Sequence, residues 1–100
     1  MACVYILYSR SLNKYYTGSC NDLFLRLEQH NSGFFEKAFT GAAIEWAIYL
    51  VIENLGYKQA RDIEAHIKKM KSKKYIENLN KYPELRQKLI TMYGNEGLNN

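Results

Sequence analysis

Five residues of this chain could share one piece of chemistry. In "NDLFLRLEQHNSG" (21–33), Leu23, Arg26, Leu27 and His30 fall at i, i+3, i+4 and i+7, the spacing that places them on one face of a helix. Downstream, Glu64 sits beside Ile63, four residues after Ala60 and three before Ile67, so an anion joins a second apolar stripe. The pattern admits three accounts. Arg26 and Glu64 could form a buried ion pair, which is weak evidence for stability because desolvation offsets the attraction. Arg26 could snorkel to water along its aliphatic stem. Or the two could serve phosphoryl chemistry. A guanidinium fork holds two phosphate oxygens, and a carboxylate holds Mg²⁺, which uses one or two protein carboxylates and keeps several waters. Tyr5, Tyr16 and His30 would then position or deprotonate a water. Tyrosine, with a free pKa of about 10, needs a metal or a cation for that task, whereas histidine at about 6.5 does not.

The elements that must position these residues follow from pattern. "ACVYILYS" (2–9) and "KYYTGS" (14–19) are β-branched and aromatic runs split by "SLN", which predicts a hairpin. Gly18 inside the second strand marks a bulge or a close approach by another group. Asn21 or Asp22 caps a helix that runs to about Asn31 and is closed by Gly33. Residues 34–42 read as a loop. "AIEWAIYLVIE" (43–53), almost continuously apolar, predicts a third strand at the centre of the sheet. "GYKQARDIEAHIKKMK" (56–71) is an amphipathic helix with Ala60, Ile63, Ile67 and Met70 on its apolar side. Ser72 breaks or caps it before a short helix over 73–79. Pro83 suits the first turn of a last helix, with Leu85, Leu89 and Met92 inward. The class is α/β (α+β), a small three-stranded antiparallel sheet flanked by helices in the order ββ-α-β-α-α-α. A single domain spans 1–93, and 94–100 reads as a disordered tail.

Charge narrows the partner. Ten of the fourteen Lys and Arg lie between Lys58 and Lys88, and "KKMKSKK" contributes Lys68, Lys69, Lys71, Lys73 and Lys74. A one-sided basic surface suits a polyanion, although a solvated helical face is the commoner meaning of a short lysine run. Two cysteines build no disulfide framework, which favours a reducing compartment. A strand from Ala2 leaves no room for a signal peptide, and "AIYLVI" is too short to span a bilayer, so a cytoplasmic protein with no membrane partner is expected. Cys3, Cys20, His30 and His66 lack the paired spacing of a zinc site.

With "CVY" (3–5), "YTG" (16–18), Arg26 and Glu64 in this order, and ten residues between Tyr5 and Tyr16, the chain resembles the GIY-YIG nuclease superfamily. Residues 3–79 look closest to its small stand-alone members, which read D-L-x-x-R-L-x-x-H-N-x-G and later E-x-x-I-K. They are also similar to the nuclease domain of the bacterial excinuclease. Cys3 stands in place of the first glycine, Thr17 in place of an apolar residue, and Ser19 where the excinuclease type has lysine.

The resemblance implies hydrolysis of DNA phosphodiester bonds with a single Mg²⁺ or Mn²⁺ on Glu64. It implies Tyr5 as the leading general base, Tyr16 positioning water or phosphate, and Arg26 stabilising transition-state charge. Gly18 would allow close backbone approach, and His30 would be an alternative base or a phosphate contact. The expected function is an endonuclease of low sequence specificity, in repair or recombination, with the five lysines on backbone phosphates. RNA stays open as a substrate, as does a protein partner that supplies specificity. The rival reading is a catalytically weak nucleic-acid-binding or protein-interaction module that keeps the fold.

Overall fold

The computed structural model describes residues 1–31 and 45–94. Two strands, β1 (Ala2–Ser9) and β2 (Lys14–Cys20), are followed by helix α1 (Leu23–Asn31) and strand β3 (Ala47–Leu55). Helices α2 (Tyr57–Met70), α3 (Lys73–Lys81) and α4 (Pro83–Gly94) complete the chain. The α+β class and the element order expected from sequence are therefore those of the protein. The predicted loop at 34–42, the Gly33 helix stop and the tail beyond Gly94 lie outside the described residues.

One expectation is corrected. The sheet order is β2-β1-β3, so β1 is central and β3 is an edge strand. Both pairings are antiparallel: Tyr5 faces Gly18 on β2 and Val51 on β3. The reason lies in the two faces of β1. Successive residues of a strand point to opposite sides, and here both sides are covered. Ala2, Val4 and Ile6 join Leu50, Ile52 and Leu55 in a cluster with Ala60, Ile63 and Ile67 of α2. Tyr5 and Leu7 join Trp46 on the other side, against Leu23 and Leu27 of α1. The strand β3 buries only one side, and Ile48 is 41% exposed despite its apolar neighbours.

Caps set the helix ends. Asp22 Oδ1 accepts the Leu25 amide at 3.1 Å, starting α1, and Ser72 Oγ accepts the Tyr75 amide at 3.1 Å, starting α3. Each takes up an N–H that a helix start leaves without an intrahelical acceptor. Lys71 (φ 48°) turns the chain between α2 and α3. Leu89 of α4 is buried as expected, and Leu85 packs against the core. Met92 is not inward: it is 51% exposed, because α4 turns Leu89, Ile90 and Tyr93 to the core instead, and Met70, the last residue of α2, is 45% exposed.

Candidate active site

Residues from β1, α1 and α2 converge on the segment of β2 from Tyr16 to Cys20 and the turn that follows it. The centre is the Tyr5 hydroxyl. Tyr5 is 2% exposed and lies across Gly18, its partner on β2. A Cβ placed on Gly18 would overlap the Tyr5 hydroxyl and come within 2.6 Å of Cζ. Glycine is thus required here by the ring that crosses it, the close approach that its position in the strand suggested.

The same hydroxyl is 3.2 Å from Nε2 of His30, the one fully buried residue of α1. The His30 and Tyr16 ring centroids are 4.9 Å apart, and those of Tyr5 and Tyr16 are 6.4 Å apart, so the three rings form one wall. Trp46 extends it, with its ring 6.5 Å from that of Tyr16.

Arg26 is half-buried on the same helix face and lines a cleft of about 220 Å³ with Ser19, Cys20 and Asn21. On the α2 side, Glu64 closes the site. Its Oε1 accepts the Ser19 hydroxyl at 2.5 Å, and its Oε2 meets Lys68 Nζ at 2.7 Å. Lys68, one turn along the same helix, is thus a charge partner of Glu64. The same Lys68 Nζ lies 5.5 Å from the Tyr16 ring centre.

The electrostatics record this convergence. Burial first, and then Tyr16, push the Tyr5 hydroxyl well above its ordinary pKa; Arg26 pulls it down and Glu64 pushes it up. Both charges therefore act on the one hydroxyl. Burial, with Arg26 second, lowers His30 to about 4. His30 is accordingly neutral near pH 7, so its ring can accept a hydrogen bond from the Tyr5 hydroxyl.

Tyr5, Tyr16, Gly18, Arg26, His30 and Glu64 are thus brought together. The lysines are divided. Lys68, Lys71 and Lys73 line a groove of about 650 Å³ with Lys14 and Tyr16, next to the site. Lys69 lines a separate cleft with Asp62, His66 and Tyr93, and Lys74 is exposed on α3.

Sequence reasoning missed three positioning elements. Asn31 accepts the Trp46 amide at 2.6 Å and donates to the Trp46 carbonyl at 3.0 Å, tying the end of α1 to the start of β3. The Ser19–Glu64 bond spans 45 residues and left no local trace. Arg61 lines the cleft with Arg26. Its position three residues before Glu64, on the same helix face, was the signal available.

Among the described residues, Glu64 is the carboxylate that stands at the site, and no group of three or more metal-ligating side chains occurs there. A Mg²⁺-type ion that takes one protein carboxylate and completes its shell with water and substrate phosphate fits that donor set. The ion would displace or share the contacts of Ser19 and Lys68.

Comparison with known proteins agrees with the geometry. The family model described as the GIY-YIG catalytic domain matches residues 1–80. Searches of curated proteins and of solved structures each returned no match. The matched segment contains the hairpin, α1, β3 and α2, and hence every residue of the ring wall, Arg26 and Glu64; the chain belongs to the GIY-YIG nuclease family.

Proposed function

We propose that this protein is a metal-dependent endonuclease that hydrolyses DNA phosphodiester bonds with low sequence specificity. The observation that carries the reading is the Tyr5 hydroxyl. It is hydrogen-bonded to His30, laid across Gly18 and acted on by both Arg26 and Glu64. A packing tyrosine needs no such company.

Glu64 would hold Mg²⁺ or Mn²⁺. When bound, the ion supplies charge neutralisation at the phosphoryl oxygens and acidifies water nearby. Arg26, always charged, would hold two oxygens of the phosphate and meet the charge that grows on them in the transition state. Tyr16, at the mouth of the ring wall, orients the attacking water.

Tyr5 is the proton acceptor through its partner. As its oxygen takes a proton from water, its own proton passes to His30 Nε2, which is 3.2 Å away. Burial depresses His30 most and Arg26 second; a phosphate bound to Arg26 would offset the second effect only and raise His30 part of the way. Tyr5 and His30 thus work as a pair rather than as competing bases.

Lys68, Lys71, Lys73 and Lys14 would guide a phosphate backbone into the site without reading bases. A domain of this size has little further surface for readout. Shape or end recognition, or a protein partner, would supply specificity, and a role in repair or recombination fits that chemistry.

The test is a cleavage panel on plasmid, branched and single-stranded DNA, with and without Mg²⁺ or Mn²⁺, run beside Arg26→Ala. Metal-dependent strand scission that Arg26→Ala loses is expected. Salt-sensitive binding without scission on any substrate would favour the binding module instead.

A further inference from the structure

Cys3 and Cys20 are the two cysteines of the chain, and both are half-buried thiols. They face each other across β1 and β2, on the same side of the hairpin as the Tyr5–Gly18 pair and two positions along from it. Their sulfurs are 3.9 Å apart.

Facing residues of antiparallel strands have Cα separations of about 4.5 or 5.5 Å. Both values lie inside the range of about 4.4–6.8 Å that a disulfide bridges. Closing the sulfurs to the bonding distance of about 2.05 Å therefore needs side-chain rotation and no separate strand movement. Access is available as well, because Cys20 lines the open cleft beside Ser19 and Arg26.

We propose that Cys3 and Cys20 form a reversible modification site, a cross-strand dithiol that a small disulfide of the glutathione type oxidises to an internal disulfide. The disulfide goes beyond the nuclease reading and does not rest on it; its effect on cleavage does.

The step balances as thiol–disulfide exchange. The Cys20 sulfur attacks one sulfur of the reagent, the reagent's S–S bond breaks, and one reagent thiol leaves with the Cys20 proton. The Cys3 sulfur then attacks the Cys20 sulfur of the mixed disulfide, and the second reagent thiol leaves with the Cys3 proton. Two protein thiols are oxidised and one reagent disulfide is reduced to two thiols. The order follows from access. It also follows from burial, then the neighbouring Cys20, which push the Cys3 thiol up to about 11 and leave it protonated in the resting protein.

The location gives the bond an effect. It would fix the Cys3 and Cys20 side chains two positions along from the Tyr5–Gly18 contact, where the ring already lies against the glycine. Rotation of Cys20 also changes the wall of the cleft that Arg26 lines. Displacements of about 1 Å at a reacting centre cost up to about a hundredfold in rate. The oxidised chain is expected to cleave at least about tenfold more slowly than the reduced one.

The experiment treats the full chain with oxidised glutathione and follows intact mass, with peptide mapping. The expected product is lighter by two hydrogens, links Cys3 to Cys20, and reverts with dithiothreitol. Cys3→Ser should stop at a glutathione adduct on Cys20. A stable adduct on Cys20 in the unsubstituted chain, or links only between chains, would overturn the proposal. Circular dichroism of Cys3→Ser and Cys3→Ala confirms that the comparison uses folded protein. Where cleavage is present, the oxidised and reduced forms are compared directly. An internal disulfide that leaves the rate unchanged would overturn the effect on the site, while the mass readout stands apart from whether the protein cuts DNA.

Discussion

Adding one methyl group at Gly18 should damage both stability and turnover, and the structure sets the size. Two effects oppose each other in Gly18→Ala. Alanine restricts the unfolded chain and so favours folding by about 0.4–1 kcal/mol where the backbone accepts it. Against this, the new Cβ would sit on the Tyr5 hydroxyl and 2.6 Å from its Cζ. Tyr5 is 2% exposed and fills its space between β1 and α1, so the ring cannot swing clear without repacking. Forced overpacking of this kind costs about 1–3 kcal/mol. Moving the ring also strains its hydrogen bond to His30, worth about 0.5–1.5 kcal/mol. The net expectation is a loss of about 1–3 kcal/mol. For a domain of this size, each kcal/mol is about 4–8 °C in melting temperature. Cleavage should fall by about a hundredfold, since the hydroxyl no longer meets its partners. The assay is thermal unfolding of Gly18→Ala alone and in a Tyr5→Ala background. The two substitutions should be strongly non-additive, the methyl group costing nothing once the ring is gone. An equal cost in both backgrounds, or unchanged stability in Gly18→Ala, would refute the reasoning.

Three other outcomes are expected. Because burial and Arg26 lower His30 to about 4 in the folded protein, the unfolded state, with its histidine near 6.5, binds more protons between those values. Stability should therefore fall as pH drops from about 6.5 towards 4, and His30→Gln should flatten that slope in urea titrations at several pH values. Asn31→Ala leaves the Trp46 amide and carbonyl without these partners, at a cost of about 1–3 kcal/mol. Fluorescence of Trp46, which is 3% exposed, should shift to the red as β3 loosens from α1. Replacing Lys68, Lys71 and Lys73 together with alanine should lower the salt dependence of DNA binding by about two to three units of log–log slope. Lys69→Ala, on the other cleft, should leave it unchanged.

Much of the candidate site's geometry was legible in the sequence, for a physical reason. Arg26, His30 and Glu64 violate helical periodicity, and a polar residue on a packing face needs either a partner or a task. Tyr5 and Gly18 were readable as strand residues, but not as a stacked pair, because register across a hairpin is set by pairing rather than by spacing. The partner of Glu64 was open to local reading, since Lys68 is four residues along the same helix. Ser19 was not, because it comes from a strand 45 residues away. The order of the strands failed for a related reason. An apolar run such as "AIYLVI" signals burial without saying on how many sides, whereas β1, no more apolar, is covered on both. Asn31 was read only as the end of a helix, yet its two hydrogen bonds to Trp46 anchor the strand that follows.

The central claim is that Tyr5, Arg26, His30 and Glu64 form one hydrolytic site and not a relic of packing. Its most direct test is single-turnover cleavage of labelled DNA by Glu64→Gln with Mn²⁺, with affinity for the same DNA measured in parallel. Glutamine keeps an acceptor for the Ser19 hydroxyl and the volume of the side chain, so the fold and DNA binding should survive. The rate should fall by about 10²–10³-fold or more, as for loss of one electrostatic stabiliser of a transition state. Cleavage that persists in Glu64→Gln at the unsubstituted rate would contradict the account.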